Sequence, residues 1–196
     1  FPLRVHPGGQ VLPQVQRDPG RQKGPPLPTQ PAPTTHPPGE EGTYPLTLYI
    51  DPRAGSKELI GHPVFARNTI QVEPMQMEFG DIAFEGKGEG GKLLHICIER
   101  KRIGDLFESL MSGRLAGHQL PGLRRTYDYV WLLVEGQWRR DHQGRILTQS
   151  RNGNWQSHGK MTVAVLEKRL LTLQLLGGIF LWHTAAPNES AYWLQS

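Results

Sequence analysis

A single cysteine, Cys97, stands in the 196 residues, which excludes an internal disulfide framework and a cysteine-rich zinc site. Nothing in the chain calls for an oxidising compartment, so an intracellular location is expected. Long apolar runs are missing too. No stretch approaches the roughly 20 residues that a bilayer-spanning helix needs, so a soluble protein with no membrane role is expected. The N-terminal segment lacks the apolar core of a secretory signal. Charge of one sign is scarce as well: 22 Lys and Arg stand against 18 Asp and Glu, a net charge of only +4. That is too little to mark a nucleic-acid binder by itself. Aliphatic periodicity is almost absent from the first 43 residues, which hold eleven of the seventeen prolines. This composition predicts an extended or disordered tail over 1–43 and one domain of ordinary size over 44–196.

What is present reads as strands interleaved with helices. Residues 46–50 (LTLYI) are expected as a strand and 56–61 (SKELIG) as a short helix. Residues 69–86 read as one bent strand or two paired ones, with Pro74 at the break. The glycine-rich 87–91 is expected to turn into a buried strand, LLHICIE. Ile103, Leu106, Phe107 and Leu110 fall at helical spacing, with Gly113 as a C-terminal stop. A short helix, the strand YVWLLVEG, an amphipathic helix over 161–176, the strand IFLWH and a helix capped by Asn188 complete the series. The pattern predicts an α/β fold with a mixed central sheet flanked by helices. The polar segment 137–159 interrupts it and is expected to be an inserted β-hairpin.

One region speaks about chemistry. Gly80-Asp81 precedes the run Glu99-Arg100-Lys101, and an apolar strand leads into Glu99. Strand alternation places Glu99 and Lys101 on one face and Arg100 on the other. Hard carboxylate oxygens suit magnesium or manganese. An ammonium beside them can hold water or stabilise charge developing on a phosphate. Cys97, two residues before Glu99, is expected as a small buried hydrophobe. Arginines crowd the sequence after the acids: Arg100, Arg102, Arg114, Arg124, Arg125, Arg139, Arg140, Arg145, Arg151, and then Lys160. Such a margin suits phosphate contacts beside a cut, although several of these residues are expected as ordinary solvated surface.

The order Gly-Asp, a gap, Glu-Arg-Lys, three residues and Asp105 resembles the signature of the XPF-type structure-specific endonucleases. LYIDPR (48–53), MEFGD (77–81), DLFESLMSGRL (105–115) and IFLWHTAAPNESAYWL (179–194) resemble that family's flanking strands and helices in order. The resemblance implies a restriction-endonuclease-like PD-(D/E)xK core and metal-dependent cleavage of branched or flapped DNA in repair or recombination. It implies Asp81, Glu99 and Asp51 as metal ligands for Mg²⁺ or Mn²⁺, with Lys101 as the catalytic cation. From the basic margin, Arg100, Arg102, Arg114, Arg124 and Arg125 are the expected DNA contacts, and Asp105 is equally well explained by the positive end of a helix. The expected partners are DNA and either a second copy or another protein that adds DNA binding. The chain departs from the family at Ala54, where an acid is usual; Glu58 is the nearest stand-in. A non-catalytic DNA-binding scaffold with a relict site is the alternative, and a nuclease of the same core acting on ordinary DNA is a third. In 137–159, Trp138 and Trp155 with their neighbouring arginines fit either a DNA-gripping flap or a surface hairpin packed on the core.

Overall fold

A computed structural model describes residues 47–53, 55–68, 70–88, 91–150 and 152–196. The proline-rich segment 1–43, Ala54, Arg151 and the side chain of Lys160 lie outside the described residues. The central sheet has six strands in the order β2-β1-β3-β4-β5-β9. These are β1 (Thr47–Ile50), β2 (Gln71–Pro74), β3 (Ile82–Lys87), β4 (Leu93–Arg102), β5 (Tyr129–Glu135) and β9 (Phe180–Thr184). β1 runs parallel to β2, β3 is antiparallel to both β1 and β4, and β4, β5 and β9 run parallel. The mixed α/β architecture is as the sequence predicts.

Alternation along the strands sorts the side chains into two cores. One face carries Tyr49, Ala83, Cys97, Val130, Leu132 and Val134, and α2 (Ile103–Met111), α3 (Leu120–Thr126) and α4 (Val163–Leu175) pack over it. The other carries Leu48, Ile50, Ile82, Ile98 and Leu133 under α1 (Pro63–Arg67) and α5 (Pro187–Gln195). β4 lies between β3 and β5, and its C-terminal half is buried while its start is exposed. Glu99, Arg100 and Lys101 in that half are therefore fixed by neighbours on both sides.

Several details differ from the sequence expectations. β2 and β3 do not pair with each other. β1 lies between them, because β2 returns in parallel after α1, a helix that its short five-residue length hides from periodicity. The insertion is a three-stranded antiparallel sheet rather than a hairpin: β6 (Trp138–Arg140), β7 (Arg145–Gln149) and β8 (Trp155–Thr162). Met161 and Thr162 close β8, and Thr162 then caps α4 through a bond from Val165 N–H. Helix α4 is less one-sided than its sequence suggests. It buries Leu166 and Leu173 but leaves Leu171 and Leu175 exposed. Ala186, not Asn188, is the N-cap of α5, since Pro187 takes the first helical position that suits its fixed φ.

Candidate active site

Three acids are aligned across three adjacent strands. Asp51 follows β1, Asp81 precedes β3, and Glu99 lies within β4. The backbone ladder continues past the strand ends to hold them: Asp51 N–H donates to Asp81 O (2.8 Å), and Asp81 N–H to Ile98 O (3.0 Å). Their positions in the alternation put Asp51, Asp81, Glu99 and Lys101 on the face covered by α2, α3 and α4. Lys101 Nζ lies 3.0 Å from Glu99 Oε1, and both side chains are mostly buried.

The turn that delivers Asp81 depends on its glycine. Gly80 has φ +90°, and a Cβ there would stand 2.1 Å from Cys97 Sγ. Cys97 is fully buried, as expected, and burial pushes its thiol well above the ordinary range. From the other side, Tyr127 Oη donates to Phe79 O at 3.2 Å, and Gly122 lets the Phe79 ring sit directly against α3. Tyr127 is raised as well, chiefly by burial. The Gly-Asp step is thus wedged between β4 and α3.

Electrostatics divide the acids. Asp51 accepts from Arg53 Nε and Arg53 N (both 2.9 Å) through Oδ1, and from Met77 N (3.0 Å) through Oδ2. The Arg53 hydrogen bond is the main reason its carboxyl falls to about 2, against the opposing effect of burial. Both oxygens accept hydrogen bonds, which ties the end of β1 to the 75–81 loop. Asp81 is the reverse case. Its Oδ2 accepts from Arg100 N at 2.7 Å, yet burial first and the charge of Glu99 second raise it to about 7. Two carboxylates crowded in a poorly solvated corner favour a proton or a cation.

That donor set fits a divalent ion. Among the described residues no cluster of three or more His, Cys, Asp or Glu stands at metal-ligating distance. A pair of carboxylates with waters completing the shell is nevertheless how magnesium is commonly held.

The arginines stand in different settings. Arg100 is buried on the face opposite the acids. Its Nε and Nη2 donate to Glu135 Oε2 (3.0 and 2.6 Å), Nη2 also meets Glu58 Oε1 (2.5 Å), and Nη1 bonds the Gly55 carbonyl. Glu135 Oε2 in turn accepts from Ser190 Oγ of α5 (2.8 Å), which lies 2.7 Å from Thr184 Oγ1. Glu58 is therefore no stand-in acid for the site: it faces away, in this network. Arg102 shares that face, 3.6 Å from Glu58. Arg114 reaches back to Ser109 Oγ of α2 at 3.2 Å, and Arg124 donates to Gly178 O at 2.8 Å. Arg125 is exposed at the end of α3, and Asp105 is exposed in the first turn of α2, where the helix field favours an acid. Sequence reasoning missed Glu135 and Ser190. The only local signal was an acid closing the apolar run YVWLLV.

The ERCC4 domain profile matches residues 50–196. Over 107 residues the chain is 35% identical to the DNA repair endonuclease XPF of Cricetulus griseus, covering 54% of this chain and 10% of that one. It is 36% identical over 72 residues to the DNA repair endonuclease UVH1 of Arabidopsis thaliana, covering 37% and 7%. The chain thus spans about a tenth or less of these relatives. XPF from Aeropyrum pernix superimposes with a TM-score of 0.53 at 23% identity, covering 76% of this chain and 61% of that one. The same archaeal protein in complex with DNA gives 0.53 at 25% identity, with the same coverage. No described helix is long and apolar enough to cross a membrane. With its Gly-Asp step and Glu-Arg-Lys strand set into a restriction-endonuclease-like sheet, the chain belongs to the ERCC4 domain family.

Proposed function

We propose that the chain is a divalent-metal-dependent endonuclease that hydrolyses phosphodiester bonds in branched or flapped DNA, in the setting of intracellular repair or recombination. The observation that carries this reading is the crowding of Asp81 and Glu99 on one sheet face, with Lys101 Nζ 3.0 Å from Glu99. Asp81 and Glu99 would hold magnesium or manganese. The bound ion would supply Lewis-acid stabilisation of the scissile phosphate and a more acidic water. Lys101 would orient an attacking water or a non-bridging phosphate oxygen and stabilise developing negative charge, from a position that Glu99 fixes in advance. Asp51, held by Arg53, keeps the backbone of Asp81 in line through the Asp51 N–H bond.

The test is cleavage of labelled fork and flap substrates with Mg²⁺ or Mn²⁺. Glu99→Ala combined with Lys101→Ala is expected to lower the rate by at least about 10²- to 10³-fold, the scale seen when a preorganised electrostatic group is removed. Equal background cutting by wild type and double variant would defeat the proposal and leave a DNA-binding scaffold as the reading.

A further inference from the structure

The inserted sheet β6–β8 concentrates the positive charge of the chain. Residues 137–160 contain Arg139, Arg140, Arg145, Arg151 and Lys160 against one acid, Asp141. Taking those five cations and one acid from the chain's 22 and 18 leaves 17 of each, so the insertion accounts for the whole net charge. Asp141 is already engaged by Arg145, at 2.7 Å. Arg139 and Arg140 are exposed along β6, the edge strand.

The insertion is anchored rather than loose. Ile146 and Met161 are buried in the same core as α2 and Cys97. The His158 ring packs 4.9 Å from Phe107, and its Cε1 would stand 3.6 Å from a Cβ placed on Gly104, in the first turn of the helix that follows Lys101-Arg102. The inserted sheet therefore lies on the face that bears Asp81, Glu99 and Lys101. Register places Arg139 opposite Leu147 and Leu147 opposite Ser157, with Trp155 opposite Gln149, so Arg139 and Trp155 share the side pointing away from Ile146 and the core. There the guanidinium of Arg139 lies 4.2 Å over the Trp155 ring. An arginine stacked on an indole keeps its N–H edge directed outward and has less side-chain freedom left to lose on binding, a geometry suited to phosphate oxygens.

From these observations we infer that the β6–β8 sheet is a DNA-backbone clamp, in which Arg139, presented on Trp155, and Arg140, paired with Ile146 and exposed at the open edge of β6 on the other side of the strand, contact phosphates of the arm next to the cut. The inference rests on the nuclease reading for its substrate, but binding can be measured apart from cutting.

The test is anisotropy of labelled duplex and forked DNA across a salt series in EDTA, where no metal-dependent cleavage occurs. Arg139→Ala with Arg140→Ala is expected to weaken binding to all sequences alike and to reduce the slope of log K against log [salt] by about 2, because each lost phosphate contact removes about 0.9. Arg139→Gln with Arg140→Gln, which retains much of the side-chain packing, is expected to do the same and removes misfolding as an explanation. An unchanged slope in both variants overturns the inference. So does an equal loss in Lys92→Ala with Lys168→Ala, two exposed lysines outside the insertion, since that would reduce the effect to general charge. The two readings separate cleanly. Metal-dependent cutting by wild type with an unchanged slope in the arginine variants sinks the clamp alone. A reduced slope without any wild-type cutting sinks the nuclease alone, and no wild-type binding sinks both.

Discussion

Asp81 is the residue on which burial and a neighbouring charge act together. Its folded carboxyl titrates near 7 against an ordinary 3.8, so the folded protein binds this proton more tightly than the unfolded chain does. The associated stability is complete below about pH 4 and is lost as pH rises through 7. Asn at this position carries no such penalty and can still accept from Arg100 N. In EDTA at pH 8, Asp81→Asn is therefore expected to be more stable than wild type by about 1–2 kcal/mol, allowing for solvent around a partly exposed group. The gap should shrink as pH is lowered toward 4. Thermal melts at several pH values check this, and a variant that is less stable at pH 8 would contradict the crowding of Asp81 and Glu99. Asp51 shows why residue type alone does not assign a role. Its strand-end position is readable in the sequence, whereas its capture by Arg53 and Met77 N–H depends on how the 75–81 loop closes.

Strand β4 carries Glu99 and Lys101 on one face and is fastened by the other. Glu135, 3% exposed, holds Arg100 from the adjacent β5. Removing one partner of a buried pair leaves an uncompensated charge, so Glu135→Ala is expected to cost about 3–5 kcal/mol in urea unfolding. Glu135→Gln, which keeps an acceptor, should lose less. A cost near zero would mean that Glu58 alone holds Arg100. This pairing was out of reach of the sequence because its members are 35 and 42 residues apart and share no local pattern. β4, α2 and β5 were legible, since period-two and period-3.6 spacing are local properties. The pairing of β2 was not, because a parallel neighbour leaves no turn between the strands. The third strand of the insertion was hidden for a different reason: WQSHGK shows no alternation of apolar and polar residues.

In the whole molecule the two sheet faces have separate tasks, and the bracing face joins parts far apart along the chain. Gly55, Glu58, Arg100, Glu135 and Ser190 meet in one network. Native-state hydrogen exchange is expected to show β4 amides near 98–101 opening together with α5, as one cooperative unit. β4 that stays protected while α5 exchanges would show that α5 is not part of the brace. The network also sets an order in time. A ribosome adds about 5–20 residues each second. Asp51, Asp81, Glu99 and Lys101 are thus all synthesised several seconds before Ser190 exists to complete the hold on Glu135. During that interval the acids are present without the support that fixes their strand.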